Sequence, residues 1–168
     1  MSARGIYQGY ALQGVDRKGR VAIPAPLRAV VEANNPRGPG GDIVRTLIVA
    51  AHETEKCLIA YDQAYPLELQ AALSARVAQI AEPGAAPDWN PKRINMGAVD
   101  LMPFDASGRF VLQGFPRDYA QIEDLALFLS VGDFFEIWSP AMLEASKTAP
   151  ERAKELARYL LKNRGEAA

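Results

Sequence analysis

The run Asp16-Arg17-Lys18-Gly19-Arg20-Val21-Ala22-Ile23-Pro24 returns, altered but in the same spacing, as Asp105-Ala106-Ser107-Gly108-Arg109-Phe110-Val111-Leu112-Gln113. A motif met twice in 168 residues constrains the fold more than any single match, because the unit it nucleates must be built twice. Each copy reads as a tight turn that feeds a strand. The Asp carboxylate can fold back onto nearby backbone N–H groups, and Gly supplies the positive φ that such a turn needs. Alternation along the strand then sends Val21 and Ile23, or Phe110 and Leu112, to one face, and Arg20 or Arg109 to the other. Two outward guanidinium groups result, each beside a fixed turn.

The repetition extends beyond the turns. Residues 6–13 read as a strand entering the first turn. After the strand 20–23, Pro24 and Pro26 open a helix to about Glu32, with Leu27, Val30 and Val31 as its buried stripe. Asn34-Asn35-Pro36 ends it, and the Pro/Gly-rich residues 36–42 read as an inserted loop. Strands over 46–50 and 57–61 flank the polar turn 52–56. A helix over 66–80 carries Leu69, Leu73, Val77 and Ile80 at helical spacing. Residues 81–93, with Pro83, Gly84, Pro87 and Pro91, are the expected linker. The same order then recurs: residues 96–104 lead into the second turn, 116–121 form a short helix, and 125–131 with 134–138 form a hairpin around Gly132-Asp133. Superposing Asp16 on Asp105 also superposes Arg28 on Arg117. A helix over 150–164 follows, with Ala153, Leu156, Ala157, Leu160 and Leu161 as its stripe and Gly165 as its stop. The expected organisation is a first half over 4–80, a linker over 81–93, a second half over 94–145 and the C-terminal helix.

One Cys and one His exclude an intrachain disulfide framework and a Cys/His zinc set, so neither metal nor cofactor is expected. Cys57, within an apolar run, reads as a packed strand thiol, and His52 as a hairpin residue rather than a catalytic base. No stretch approaches the ~20 apolar residues of a membrane span and no signal-like run precedes Asp16, so a cytoplasmic chain without a membrane partner is expected. The net charge of −1 does not mark a nucleic-acid binder, yet residues 1–28 hold Arg4, Arg17, Lys18, Arg20 and Arg28 against Asp16 alone. A locally basic surface attracts phosphate even on a near-neutral protein, because charges more than roughly 10 Å away are screened in ~0.1 M salt. The same charges also suit an ordinary solvated face.

The paired Asp-x-x-Gly-Arg turns, Arg4-Gly5, the run Arg20-Val21-Ala22-Ile23-Pro24 and the ending Phe135-Glu136-Ile137-Trp138 together resemble the MraZ family over about residues 4–145. MraZ proteins are bacterial AbrB-like, swapped-hairpin DNA-binding regulators. The resemblance implies an α+β fold in which two tandem AbrB-like units form an intrachain pseudo-dimeric β core with flanking helices. It implies a ring-shaped homo-oligomer that binds direct repeats in double-stranded promoter DNA. It further implies repression of the division and cell-wall gene cluster, its own promoter included, and association with the nucleoid. By the same resemblance Asp16 and Arg20, with Asp105 and Arg109, constitute the DNA-contacting motif.

Chemistry divides the roles. Arg20, backed by Arg17 and Lys18, and Arg109 are the candidate DNA contacts, with Arg4 as a further one, since Arg can bond guanine in bidentate fashion and Lys and Arg both meet phosphate. Asp16, Gly19, Asp105 and Gly108 organise the turns, because a carboxylate facing phosphate is repelled. Arg28 reads as one end of a helix-face ion pair. The second copy departs from the first: Ala106-Ser107 removes two charges, and Gln113-Gly114-Phe115-Pro116 displaces the helix start. Two other classes fit the residues less well. The Asp–Arg sets could merely brace the turns of a structural or partner-binding ring. Asp16 and Asp105 could form a hydrolytic carboxylate dyad, but an Arg four residues after each keeps both ionised.

Overall fold

The computed structural model describes residues 3–164. Its first half runs β1 (Tyr10–Gly14), β2 (Arg20–Ala22), α1 (Ala25–Asn34), β3 (Thr46–Ala51), β4 (Leu58–Tyr61) and α2 (Tyr65–Ile80). After α3 (Asn90–Lys92) and a wide helical turn over Arg93–Gly97, the order repeats as β5 (Val99–Pro103), β6 (Arg109–Val111), α4 (Phe115–Ala120), β7 (Leu125–Ser130) and β8 (Phe135–Trp138). The helices α5 (Pro140–Ala145) and α6 (Glu151–Lys162) then follow β8 as α2 follows β4.

The two halves exchange strands. Six strands form one antiparallel sheet in the order β1-β7-β8-β4-β3-β5, while β2 pairs with β6 in a separate ribbon. Interchanging the halves maps this order onto itself, so a pseudo-two-fold axis passes between β4 and β8. This is the α+β, strand-swapped, pseudo-dimeric core that the sequence implies.

Both faces of the sheet are covered, and its central strands accordingly read as near-continuous apolar runs. Leu47, Val49, Leu58, Ala60, Ala126, Phe128, Phe135 and Ile137 face the ribbon side, where they meet Val21, Ile23, Leu27, Val31, Phe110 and Leu112. The alternate residues Ile48, Ala50, Ile59 and Tyr61 pack against Tyr65 and Leu69 of α2. Leu127 and Trp138 pack against Leu143 of α5 and Ala157 and Leu160 of α6. The ribbon therefore lies on one side of the sheet, and α2, α5 and α6 on the other.

Several expectations shift. Leu73 and Val77 of α2 are buried, but Ile80 is 64% exposed, because the last turn of the helix outruns the layer it covers. The segment expected as a linker is irregular only to Trp89. Pro91 and Asn95 are buried, and Asn95 Nδ2 donates to Pro91 O at 2.8 Å and to the Glu53 carboxylate at 3.3 Å. Pro91 occupies the first turn of α3, where a missing N–H costs nothing, so a proline that reads as a breaker is a starter. The short α5 has too few residues for its periodicity to stand out. The C-terminal helix packs on its own chain, and Arg158 clamps it to α5 through Glu144 at 2.6 Å. Gly165, its expected stop, lies outside the described residues.

Candidate nucleic-acid interface

Each turn is wound around its own Asp. Asp16 Oδ1 accepts the backbone N–H of Lys18 and of Arg20, both at 2.9 Å, while Oδ2 accepts Arg20 Nε at 2.6 Å. Asp105 Oδ1 accepts the N–H of Ser107 at 3.0 Å and of Arg109 at 2.9 Å, together with the Ser107 hydroxyl at 2.7 Å. Its Oδ2 accepts Arg109 Nε at 3.0 Å. These bonds hold both carboxyls below the usual carboxylate range. At Asp16 the backbone and then the side chain of Arg20 contribute most, whereas at Asp105 the Ser107 hydroxyl leads. The Ser107 hydroxyl thus adds to the second turn a bond that the first lacks.

The glycines complete the turns and dock each one on the other half. Gly19 has φ +82° and Gly108 φ +86°, a region that L side chains rarely adopt. The carbonyl of Gly19 accepts Leu112 N–H at 2.7 Å, and that of Gly108 accepts Ile23 N–H at 2.9 Å. A Cβ on Gly19 would stand 2.5 Å from the Leu112 carbonyl oxygen. On Gly108 it would stand 3.1 Å from that of Ile23. Each turn is therefore positioned by the far end of the other half's ribbon strand.

In that ribbon Arg20 lies opposite Val111, Val21 opposite Phe110 and Ala22 opposite Arg109. Val21 and Phe110 point into the core, each 2% exposed, which fixes the opposite direction for Arg20 and Arg109. Their side chains are 49% and 60% exposed. Only Nε of each is bound by its Asp, and the Nη atoms of both have no hydrogen-bond partner among the described residues. Arg17 and Lys18 stand exposed in the first turn beside Arg20.

Arg4 is placed elsewhere. Expected as a further DNA contact, its side chain is only 8% exposed and pairs with Asp62 at 2.9 Å. It also bonds the Asp133 carbonyl and lies 4.4 Å from the centre of the Tyr65 ring. Asp62, fully buried at the end of β4, further accepts Tyr7 Oη at 2.6 Å, Asn34 Nδ2 at 3.0 Å and the N–H groups of Ala64 and Tyr65. Burial pushes the Asp62 carboxyl up, but the bonds from Arg4, Tyr7 and Asn34 outweigh it and hold the group low. An acid between a strand and a helix start was the available signal for this cluster, since it resembles a cap. Its partner 58 positions away carries no local trace.

Arg28, expected in a helix-face ion pair, makes none among the described residues; its stem packs on Gly108, with Cδ 3.0 Å from the place a Cβ would take. His52, Cys57 and Glu136 also converge, their donor atoms lying within 4.8 Å of one another. The set works against a cation. His52 Nδ1 accepts the N–H groups of Thr54 and Glu55, which leaves the neutral ring's proton on Nε2, the nitrogen facing Glu136. Burial also raises the Cys57 thiol far above its ordinary range.

No protein-family model matches the chain. It is 34% identical over 146 residues to the transcriptional regulator MraZ of Aromatoleum aromaticum, covering 86% of this chain and 88% of that protein. To the transcriptional regulator MraZ of Ruegeria pomeroyi it is 31% identical over 143 residues, covering 85% and 83%. To that of Saccharophagus degradans it is 26% identical over 162 residues, covering 93% and 97%. The chain thus belongs to the MraZ family, and the relatives it matches are named transcriptional regulators.

Proposed function

We propose that the chain is a sequence-specific DNA-binding regulator, in effect a repressor, that reads DNA with the β2–β6 ribbon. The observation that carries this reading is the pair of exposed guanidinium forks, each preset by its own turn. A two-stranded ribbon fits the major groove of B-DNA. With Nε held by Asp, the two Nη groups remain as an end-on fork suited to guanine O6 and N7. Diagonal cross-strand neighbours lie about 7–8 Å apart, roughly two base steps of ~3.4 Å, so Arg20 and Arg109 suit bases about two steps apart. Arg17 and Lys18 add phosphate contacts.

A purely bracing role for these pairs is weaker on energetic grounds. Exposed ion pairs contribute about 0–1 kcal/mol, and each Asp already fixes its turn through backbone N–H groups. A catalytic dyad is weaker still, since each carboxylate is saturated by its own turn and held ionised rather than sharing a proton. Family membership supports the remaining features of the reading. These are direct repeats upstream of the division and cell-wall genes, its own promoter among them, a ring-shaped homo-oligomer, and a cytoplasmic, nucleoid-associated location. One protomer presents few cations, so a ring that offers the same turns repeatedly would convert modest contacts into useful affinity.

The test is fluorescence anisotropy on labelled DNA from upstream of the protein's own gene, titrated with salt. Arg20→Ala is expected to weaken binding by about 5- to 150-fold, the value of one good bidentate contact. Arg109→Ala reports the second turn. Equal binding by folded wild type and both variants would overturn the reading.

A further inference from the structure

The pseudo-two-fold lays an arginine from each short helix across the opposite half's turn, and the two arginines are not equivalent. Arg117 of α4 brings Nη1 to 3.3 Å from the Cβ position of Gly19. Its Nε donates to the Ile122 carbonyl at 2.9 Å and its Nη2 to that of Glu123 at 2.8 Å. Arg28 of α1 lies over Gly108 in the matching way, with Cδ at 3.0 Å and Nη1 at 3.4 Å from the Cβ position. Arg28 has no side-chain hydrogen bond and no ion pair among the described residues, and it is half-buried.

The difference has a visible cause. After α4 the chain reverses at once through Gln121 at φ +53° and enters β7, presenting two carbonyls to Arg117. After α1 it leaves along the longer connection 35–45, where Asn35 takes the carbonyls of Val44 and Thr46 for itself. No carbonyl cage is left for Arg28. Its guanidinium, without a hydrogen-bond partner among the described residues, stands beside the turn that has Ala106 and Ser107 in place of Arg17 and Lys18.

We propose that Arg28 supplies the phosphate-binding charge missing from the second turn. The site is composite: Arg28 from the first half and Arg109 from the second together receive a stretch of DNA backbone and the adjoining base edge. Arg117, its mate, is a positioning residue whose Nε and Nη2 are engaged by carbonyls of its own half. The inference rests on the ribbon reading above.

The experiment uses the full-length assembled protein and the same labelled upstream DNA, with log affinity plotted against log salt concentration. Arg28→Gln keeps the atoms as far as the Cδ that packs on Gly108 and removes the charge. It is expected to weaken binding to all sequences alike and to lower the salt slope by about one phosphate contact. Arg28→Lys is expected to restore the slope, and Arg117→Gln to lower thermal stability while leaving the slope unchanged. An Arg28→Gln slope equal to wild type, with Arg20→Ala still defective, overturns the proposal and leaves the ribbon reading standing. Wild-type affinity in both Arg20→Ala and Arg109→Ala, or no binding by wild type, overturns both. A measurement on unaltered protein guards against a variant that fails to fold. Phenylglyoxal labelling read by mass spectrometry should show Arg28 protected by DNA, and equal labelling with and without DNA overturns the proposal.

Discussion

Gly19 and Gly108 share a backbone conformation but not a neighbourhood. Any L side chain at either place meets the αL penalty of about 1–2 kcal/mol. At Gly19 the new methyl also meets a backbone oxygen at 2.5 Å, whereas at Gly108 its nearest neighbour is the movable Arg28 side chain. Gly19→Ala is therefore expected to lower the unfolding midpoint more than Gly108→Ala, as urea denaturation would show. Asp62 makes a second prediction at this scale. Its folded pKa is depressed, so the stability it contributes is present above the unfolded value of about 3.9 and is lost as pH falls through the lower folded value. Acid unfolding should begin below about pH 4. Asp62→Asn should cost up to about 3 kcal/mol near neutrality, because it removes the carboxylate bonded to Arg4 and leaves that cation only the more distant Glu68 and Asp133, and should flatten the acid limb.

At the scale of elements, what was legible from the residues was whatever repeats locally. The Asp-Gly-Arg turns, the outward direction of Arg20 and Arg109, and the helices α1, α2, α4 and α6 all follow from spacing within a few residues. What was not legible depends on contacts distant in sequence. Arg4 is drawn inward by Asp62, Arg28 lies on a turn from the other half, and Pro91 starts a helix because Asn95 anchors it. Val111 and Ala22 gave no sign that they would face Arg20 and Arg109, since register belongs to the pair of strands. α6 shows the same division of labour: its stripe was readable, but that it covers its own chain was not. Deleting residues from Pro150 onward uncovers Leu143 and Trp138 and should lower stability by about 2–4 kcal/mol in thermal melts. DNA affinity per assembled particle should survive, since α6 and the ribbon lie on opposite faces of the sheet.

For the whole molecule, the strand exchange makes the chain a dimer in miniature whose two turn-bearing edges, the proposed DNA-binding edges, differ in sequence. A symmetric pair of identical readers is matched to an inverted, palindromic site and reads it equally from either end. Here one edge carries Arg17, Lys18 and Arg20, and the other Arg109 with Arg28. DNA carrying several repeats should accordingly bind far more tightly than a single-repeat duplex in anisotropy titrations. Inverting one repeat within the array should weaken binding even though every base contact remains present. On the proposed DNA reading, two half-sites fused in one chain give the protomer a polarity: it would have a leading and a trailing edge on DNA, and an array of such protomers would run in one direction.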